Sequence, residues 1–352
     1  MNQSFWKDKR VLLTGHTGFK GSWLSLWLQS MGAQVHGYAL SPSTNPNLFT
    51  LANVKKGMAG HLEADIRDIT RLNHFVSQVN PEIVFHMAAQ PLVRYSYAEP
   101  VETYAVNVMG TVNLLESLRN VSKVKAVVNV TTDKCYENRE WLWAYREDDS
   151  LGGYDPYSSS KACSEIVTSA YRQSFLAELG AGVASARAGN VIGGGDWSND
   201  RLIPDFFRAV TKGEPLVIRS PNAIRPWQHV LEPLSGYINL AEKLHDETVN
   251  YAGAWNFGPD ESSAQTVSWI LTKLASNIPN AKWELDKNPQ LHEANLLKLD
   301  SSKAKSLLKW SPRWSLNDSL DKVIDWHKAF NSKSDMRKFS MSQIDDYVRT
   351  GL

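Results

Sequence analysis

Three glycines at a spacing of three residues, Gly15, Gly18 and Gly21, separate a short apolar run from a longer apolar segment. Residues 11–13 have the composition of a buried strand, and residues 19–31 have the length and apolar content of a helix. In a strand–turn–helix unit, such glycines permit a tight turn, a close approach of the backbone to a pyrophosphate, and close packing of the helix on the strand. The helix N-terminus also attracts phosphate charge. The pattern therefore predicts a dinucleotide-binding unit near the start of the chain.

Strand-like and helix-like segments alternate over the first half of the chain. Further strands are predicted for residues 34–40, 83–87, 126–130 and 182–188, and helices for residues 101–118 and 156–179. This alternation is typical of parallel βαβ units, so we predict an α/β fold with a Rossmann-type, doubly wound parallel sheet. Beyond about residue 190, glycines and prolines punctuate shorter elements. We therefore predict a dinucleotide-binding domain over residues 1–189 and a smaller mixed α/β C-terminal lobe over residues 190–352, with some segments returning to the first domain.

The charge balance and the residue content exclude several functional classes. With 38 Lys and Arg residues against 37 Asp and Glu residues, the chain lacks the basic excess typical of nucleic-acid-binding proteins. No run of about 18 apolar residues occurs, so no membrane span is predicted, and the N-terminus lacks the apolar stretch of a signal peptide. The two Cys and nine His residues show no metal-ligand spacing, so no metal site is expected. A cytoplasmic location is expected.

The predicted second strand is followed by neutral residues. No acidic residue lies between Asp8 and Glu63, and no Arg lies between Arg10 and Arg67. A dinucleotide site usually places an acid near the end of the second strand for the ribose 2′-hydroxyl, or an Arg nearby for a 2′-phosphate. Three neutral residues are the candidates for the ribose hydroxyls here: Ser41, Ser43 and Asn45. NAD is favoured over NADP, and Asp65 can either contact the adenine amino group or cap a helix.

Tyr157 and Lys161 lie four residues apart at the start of a predicted helix and therefore share one helix face. A nearby ammonium group, together with a positive nicotinamide ring, favours the phenolate form of Tyr and lowers its pKa. A phenolate can remove a proton from a sugar hydroxyl while hydride leaves the carbon. The alternative interpretation is an exposed helix pair, but the preceding glycine-rich unit favours a catalytic pair.

Thr132, Asp133 and Lys134 follow the strand predicted for residues 126–130. In open α/β sheets, ligands bind beyond the carboxyl ends of the strands, so these side chains are placed for chemistry. Thr132 can hydrogen-bond a reacting hydroxyl. Asp133 and Lys134 add an acid and a base that simple hydride transfer does not need, and on spacing alone a loop ion pair is an equally good interpretation.

Several motifs together carry a family resemblance. They are Thr14-Gly15-x-x-Gly18-Phe19-x-Gly21, His86-Met87-Ala88-Ala89-Gln90, Asn107-Val108-x-Gly110-Thr111 and Tyr157-x-x-x-Lys161. On these, nearly the whole chain resembles the extended short-chain dehydrogenases/reductases of the nucleotide-sugar class. Within that family, four longer segments of this chain resemble the CDP-glucose 4,6-dehydratases. They are residues 14–24, Thr132-Asp133-Lys134-Cys135-Tyr136, residues 189–197 and Arg225-Pro226-Trp227-Gln228-His229-Val230. His292-Glu293 and residues 297–300 resemble the family's C-terminal segment.

The resemblance implies NAD as cofactor and CDP-glucose as substrate. The residues that it implies for the cofactor are Gly15, His16, Thr17, Gly18, Phe19, Gly21, Asp65, Ile66, Ala88, Ala89, Asn107, Tyr157 and Lys161. Those that it implies for the nucleotide sugar are Gln90, Asn190, Arg201, Arg219, Arg225 and Asn256. Of these, Arg225 is expected to clamp the diphosphate with its planar fork. His16 can either touch the cofactor or only shape the turn.

The resemblance also implies a reaction. Tyr157 would take the C4 hydroxyl proton as NAD accepts the C4 hydride, assisted by Thr132 and Lys161. Water would then be lost across C5 and C6 with the help of Asp133 and Lys134, and hydride would return to C6. This gives CDP-4-dehydro-6-deoxy-D-glucose, and the enzyme would be a hydro-lyase of the CDP-glucose 4,6-dehydratase type.

One departure leaves the acid and base roles open. Related dTDP-glucose dehydratases have Asp-Glu where this chain has Asp133-Lys134. A Lys acts as a base only when neutral, and Asp133 beside it opposes deprotonation. The alternatives are another nucleotide-sugar 4,6-dehydratase, a 4-epimerase, an NADP reductase and a non-catalytic dinucleotide-binding regulator. Family members pair through two long helices, so a homo-oligomer, dimer or tetramer, is expected through residues 100–119 and 156–179.

Overall fold

The computed structural model describes residues 2–279, 281–286 and 296–351, and a parallel sheet runs through its centre. His292 and Glu293 lie outside the described residues. The strands are β1 Arg10–Thr14, β2 Gln34–Ala39, β3 Gly60–Glu63, β4 Ile83–His86, β5 Ala126–Val130, β6 Gly182–Arg187, β7 Val191–Ile192, β8 Leu216–Ile218, β9 Ile224–Pro226, β10 Gln228–His229, β11 Gly253–Asn256, β12 Ala264–Thr266 and β13 Trp283–Leu285. The central sheet has seven strands in the order β11-β6-β5-β4-β1-β2-β3, and every pairing is parallel. The predicted Rossmann-type α/β fold is confirmed.

Helices cover both faces of the sheet. They are α1 Gln3–Trp6, α2 Phe19–Ser30, α3 Leu48–Leu51, α4 Ile69–Val79, α5 Val93–Ala98, α6 Pro100–Tyr104, α7 Gly110–Leu118, α8 Pro156–Tyr171, α9 Leu202–Lys212, α10 Leu231–Asp246, α11 Thr248–Tyr251, α12 Val267–Asn277, α13 Leu316–Asn331 and α14 Met336–Thr350. Because side chains alternate between the faces of a strand, Val11 and Leu13 pack in one core while Leu12 packs in the other. The first core contains side chains of α2, α10 and α14, and the second contains side chains of α4 and α7. Burial on both faces explains why the strands are continuous apolar runs.

Both long helices predicted from the sequence contain a π-helical turn. Residues 105–109 form such a turn between α6 and α7, and residues 172–176 form another after α8. A π-turn admits one extra residue per turn and re-aims the side chains around it, and such turns are frequent at functional sites. The first of these turns contains Asn107, whose side chain faces the loop after β4.

The C-terminal half contributes to both parts of the molecule. Strand β11 pairs with β6 and so extends the central sheet, and α10 and α14 pack on the sheet's first face. A separate core is formed by residues from β7, α9, β8, α12 and α13. Two-stranded pairings, β10 with β7, β12 with β9 and β13 with β8, surround it. The boundary at residues 189 and 190 remains a prediction.

The strand order reverses between β1 and β4. From β1 the sheet continues to β2 and β3 on one side, and from β4 it continues to β5 and β6 on the other. Ligands of doubly wound sheets bind in the crevice outside the carboxyl ends of the strands at this switch point. The loops after β1, β4 and β5 therefore meet there. None of the helices in the described part of the chain is long and apolar enough to cross a membrane.

Candidate active site

A cleft of about 610 Å³ opens at the carboxyl ends of the central strands, between the sheet and the smaller lobe. Its lining brings together most of the residues predicted from the sequence. These are Gly15, Thr17, Gly18, Phe19, Gly21, Asp65, Ile66, Ala88, Ala89, Thr132, Asp133, Lys134, Tyr157, Lys161, Asn190, Arg201, Arg219 and Arg225. Residues more than 200 positions apart in sequence thus share one concave surface, as in a site that holds a cofactor and a substrate side by side.

Two of the three glycines in the glycine-rich loop, Gly15 and Gly21, leave no room for a side chain. Gly15 has a φ of 75°, and a Cβ atom there would lie 2.6 Å from the backbone nitrogen of Ala88. A Cβ atom on Gly21 would lie 2.2 Å from the carbonyl oxygen of Gly15, so this glycine lets α2 pack against the turn. Gly18 is exposed at the N-terminus of α2. The loop therefore presents backbone N–H groups and a helix N-terminus to the cleft, which fits a dinucleotide pyrophosphate.

Tyr157 and Lys161 both project from the first turns of α8 into the cleft. Asp155 caps this helix by accepting a hydrogen bond from the backbone nitrogen of Ser158 at 2.9 Å. The Nζ atom of Lys161 donates to the carbonyl oxygen of Val130, at the end of β5, at 3.2 Å. Helix α8 and strand β5 thus fix the pair at the mouth of the sheet.

The expected lowering of the Tyr157 pKa is not what the protein's own groups produce. Burial raises the pKa of Tyr157 to about 12, although a hydrogen bond with Thr132 and the charge of Arg201 oppose the change. Burial also lowers the pKa of Lys161 to about 8, with Glu165 opposing it. The pKa of Tyr157 was expected to fall because of the charge of Lys161, but desolvation of the phenol has the larger effect on this pKa.

Asp133 is a nearly fully buried acid beside the catalytic candidates. Its Oδ1 atom accepts a hydrogen bond from Oγ1 of Thr132 at 3.0 Å. Burial raises the pKa of Asp133, while the charges of Lys134 and Arg225 and the Thr132 hydrogen bond oppose this. A Cβ atom on Gly189 would lie 2.4 Å from Oδ2 of Asp133, so a glycine is required there for the carboxyl group to fit. Burial therefore makes Asp133 easier to protonate than an exposed aspartic acid.

The smaller lobe supplies cationic side chains to the cleft. Arg201 forms an ion pair with the buried Asp196, with 2.9 Å between Nη1 and Oδ2. Arg225 is 8% exposed and donates from Nη1 to the carbonyl oxygen of Ile224 at 3.0 Å. Together with Arg219, these residues surround the part of the cleft nearest the lobe. Several guanidinium groups in one cleft favour a ligand with phosphate groups.

Lys20, in the first turn of α2, is a cleft residue that sequence reasoning missed. Its Nζ atom lies 3.3 Å from the hydroxyl of the buried Tyr237. Burial and the positive charges of Arg201 and Lys161 lower the pKa of Lys20 to about 7, and Asp133 partly opposes them. The sequence did show a cation directly before Gly21, the third glycine. The side chain of a residue at that position can point either into the cleft or away from the bound phosphates.

Two residues predicted to contact ligands instead hold the loop after β4. The side chain of Asn107 accepts from the backbone nitrogen of Gln90 at 2.8 Å and donates to its carbonyl oxygen at 3.0 Å. The Gln90 amide in turn bonds the backbone of Leu92 and donates to Oγ1 of Thr103 at 2.9 Å. Neither lines the cleft. Asn107 and Gln90 therefore position the loop that carries Ala88 and Ala89, and their predicted ligand contacts remain predictions.

His16 and Asn256 are likewise turned away from the cleft. His16 is fully buried beneath the glycine-rich loop, with its Nε2 atom 2.7 Å from Nδ1 of His61. Asn256 is fully buried at the end of β11, where its amide donates to the carbonyl oxygens of Tyr145 and Asp300. The contacts that the structure shows for both side chains are thus with other parts of the protein, and their predicted ligand contacts remain predictions.

A buried ion pair supports the cleft from below. The Arg187 and Glu165 side chains are each 4% exposed, with 2.8 Å between Nη2 and Oε2. Glu165 also accepts hydrogen bonds from Thr131 and Ser185. Arg187 donates from Nη1 to the hydroxyl of Tyr136 at 2.8 Å. Although burial opposes it, the Arg187 charge and these hydrogen bonds lower the pKa of Glu165. The network connects β5, β6 and α8 directly behind the catalytic candidates.

Comparisons with known proteins agree with this geometry. A curated CDP-glucose 4,6-dehydratase of Salmonella typhimurium is 53% identical, over 99% of this chain and 98% of the relative. An epimerase of Methanothermobacter thermautotrophicus, 23% identical, has a similar fold with a TM-score of 0.79 over 94% of this chain and 96% of its own. So does a dTDP-glucose 4,6-dehydratase of Bacillus anthracis in complex with NAD, at 20% identity and a TM-score of 0.76, over 94% and 99% of the two chains.

The fold and the cleft define a Rossmann-type protein with a nucleotide-binding crevice at the switch point of its sheet. The family model described as GDP-mannose 4,6-dehydratase matches residues 12–323. The chain belongs to this family.

The Arg187–Glu165 pair gives a prediction for stability. Arg187→Met leaves the buried carboxylate of Glu165 without its partner, and we expect the free energy of unfolding at neutral pH to fall by about 3–5 kcal/mol. Arg119→Met, which breaks the exposed pair with Glu116, should cost at most about 1 kcal/mol. Chemical denaturation measures both.

The pH dependence sharpens this test. Because the folded-state pKa of Glu165 is lowered, the pair contributes stability above the unfolded-state pKa and loses it as the pH falls through the folded-state value. The destabilisation by Arg187→Met should therefore shrink in acid. Equal losses for the two Arg variants, or a loss independent of pH, would contradict the assigned role of the pair.

Proposed function

We propose that the protein catalyses the NAD-dependent dehydration of CDP-D-glucose to CDP-4-dehydro-6-deoxy-D-glucose. The observation that carries this proposal is the meeting of Thr132, Asp133, Lys134, Tyr157 and Lys161 with the glycine-rich loop in one cleft. The 53% identity to a CDP-glucose 4,6-dehydratase over nearly the full length of both chains supports the choice of nucleotide. We also propose a cytoplasmic location for this activity.

The shape of the glycine-rich cradle supports a dinucleotide as the resident cofactor. Gly15, Gly18 and the N-terminus of α2 would hold the pyrophosphate, and Ala88 and Ala89 would flank the ring that reacts. When bound, NAD supplies a positively charged hydride acceptor for C4 of the sugar and a hydride donor for C6. That positive charge also favours the Tyr157 phenolate, which burial alone disfavours.

Tyr157 is the proposed base for the C4 hydroxyl. Its Oη atom would take the hydroxyl proton, and a hydrogen bond from Thr132 would orient the same oxygen. Lys161, held by the carbonyl oxygen of Val130, would stabilise the negative charge on Tyr157. The 4-keto group that results makes the neighbouring C5 proton acidic, which prepares the elimination step.

Asp133 is the proposed acid and Lys134 the proposed base of the elimination. Burial raises the pKa of Asp133 and so favours the protonated form, which can deliver a proton to the departing C6 hydroxyl. Lys134 is more accessible than Asp133 within the same short helical turn and would remove the C5 proton. This is the division of roles that we propose for the pair, whose acid and base roles the sequence left open.

The substrate diphosphate would bind in the cationic part of the cleft. Arg225, Arg201 and Arg219 line the cleft there, with Asn190 beside them. A guanidinium group can bind two phosphate oxygens at once, so this cluster suits a nucleoside diphosphate better than an uncharged sugar.

The chain is also proposed to form a homodimer or tetramer through α6, α7 and α8. Several apolar side chains are exposed on these helices or on the π-helical turns adjoining them. They include Val101, 82% exposed, Met109, 51% exposed, and Ile166, 58% exposed. Apolar surface of this kind on neighbouring helices favours association with a second copy.

The proposed reaction is tested by incubating the pure protein with CDP-, dTDP-, GDP- and UDP-glucose and identifying the products by mass spectrometry. We expect the 4-keto-6-deoxy product, formed fastest from the CDP sugar, with no net change in reduced cofactor. Equal turnover of all four sugars would contradict the nucleotide specificity. An epimer of unchanged mass would contradict dehydration, and stoichiometric consumption of cofactor would indicate a reductase.

Separate variants of the elimination pair should uncouple the two half-reactions. Asp133→Asn and Lys134→Ala are each expected to lower product formation by at least about 100-fold, the usual contribution of a general acid or base. Transient reduction of NAD should persist, because Tyr157 and Lys161 are intact. Rapid-mixing absorbance of the reduced cofactor measures this, with Asp246→Asn, an exposed carboxylate outside the cleft, as the control. Full dehydration by both variants would contradict the assignment.

The proposed interface is tested by sedimentation analysis. The unaltered chain should sediment as a dimer or tetramer, and Ile166→Glu should shift it towards monomer, because a buried charge without a partner disfavours the interface. Val249→Glu, at a side chain 86% exposed on α11, is the control and should leave the assembly unchanged. A monomeric unaltered chain would refute this interface.

A further inference from the structure

The residues at the end of β2 and directly after it form one wall of the cleft. A dinucleotide site usually has an acidic residue at this place, but the sequence has none there. Residues 38–44 line the cleft. Strand β3 lies beside β2 in parallel, and its last residue, Glu63, pairs in register with Ala39. The carboxyl ends of the two strands therefore lie together, and Glu63 reaches the segment after β2 from the side.

Ser41 connects this acid to the cleft. Its Oγ atom donates a hydrogen bond to Oε2 of Glu63 at 2.5 Å, and Ser41 itself lines the cleft while Glu63 does not. Since the Ser41 proton is committed to Glu63, the remaining lone pairs of Oγ are available as acceptors. The Ser41 oxygen can therefore accept a hydrogen bond from a hydroxyl group of a ligand.

Two histidines hold Glu63 from the other side. The Nε2 atom of His61 lies 3.3 Å from Oε1 of Glu63, and its Nδ1 atom lies 2.7 Å from Nε2 of His16. Burial and the neighbouring His61 lower the pKa of His16 to about 3, so His16 is neutral at physiological pH. The hydrogen bonds from Ser41 and His61 lower the pKa of Glu63, which is therefore a carboxylate at neutral pH. The chain of contacts runs from beneath the glycine-rich loop to the segment after β2.

We propose that Glu63, acting through Ser41, selects an adenine dinucleotide with a free ribose 2′-hydroxyl over one with a 2′-phosphate. The inference rests on the proposed use of a nicotinamide dinucleotide. Ser41 would accept a hydrogen bond from the ribose hydroxyl, and Glu63 is a positioning residue that fixes the direction of the Ser41 proton. A 2′-phosphate would bring negative charge towards the Glu63 carboxylate and has no proton to donate when fully ionised.

A cation near Glu63 makes the choice between a 2′-hydroxyl and a 2′-phosphate depend on the Glu63 carboxylate. Lys55 is the cation whose charge acts on Glu63 together with His61. With Glu63 present, its carboxylate opposes the positive charge of the exposed Lys55. With Glu63 replaced by a neutral amide, Lys55 would attract a 2′-phosphate, so a single substitution should both weaken NAD binding and improve NADP binding.

The test measures binding of NAD and NADP to the full chain by calorimetry, without turnover. The unaltered protein should bind NAD more tightly than NADP. Glu63→Gln and, separately, Ser41→Ala should each lower the ratio of the NADP to the NAD dissociation constant by at least about tenfold, the effect of one hydrogen bond to a charged group. Glu137→Gln, an exposed carboxylate outside the cleft, is the matched control and should leave the ratio unchanged.

The outcomes separate this inference from the function on which it rests. If the unaltered protein binds neither dinucleotide, the proposed function fails. If it binds NAD but Glu63→Gln and Ser41→Ala leave the ratio unchanged, or if it binds both dinucleotides equally, the selection by Glu63 is wrong while the function stands. Because the Glu63 side chain is half exposed, Glu63→Gln should fold normally, and a thermal melt checks this for both variants.

Discussion

The buried ion pair of Arg187 and Glu165 is the interaction on which the site most depends. Strand β6 ends at Arg187, and Glu165 lies one turn beyond Lys161 on α8. Thr131, which bonds the same carboxylate, directly precedes Thr132. A buried charge tolerates little displacement from its partner, because separation exposes each ion to a medium of low dielectric. The ion pair therefore holds α8, which carries Tyr157, against the end of β6, and the Thr131 hydrogen bond holds the same carboxylate against the end of β5.

The cleft contains several cationic side chains together with the buried acids Asp133 and Asp196. Lys20, Lys161, Arg201 and Arg225 all line it, and Asp133 is the carboxyl group nearest the proposed chemistry. The chain as a whole has a formal charge of +1, so this asymmetry is local. An anionic ligand would reduce the mutual repulsion of these cations. Its binding is therefore favoured both by direct contacts and by this reduction in repulsion.

Much of the fold was predictable because the strands are buried on both faces. Continuous apolar runs marked β1, β4 and β5 to within a residue, and the glycine spacing located the phosphate cradle. The side chains of Asn107, Gln90, His16 and Asn256 were assigned from motifs, and motifs do not say which way a side chain points. The π-helical turn around Asn107 directs its amide to the loop backbone, an orientation set by tertiary packing.

Contacts between distant strands were the least predictable part of the site. Glu63 lies 22 residues after Ser41, and only the parallel register of β2 and β3 brings them together. The sequence showed correctly that no acid follows β2, but it could not show that β3 supplies one. The sequence predicted that some C-terminal segments return to the first domain, but it did not identify β11 among them, since an edge strand of four residues carries little periodic signal.

Lys20 has a practical consequence. An amine with a pKa of about 7 is half neutral under physiological conditions, whereas an ordinary exposed lysine is almost entirely protonated. It is therefore a far better nucleophile at neutral pH than the lysines on the surface. The net charge of the cleft therefore changes with pH in the physiological range, through a side chain in the first turn of α2.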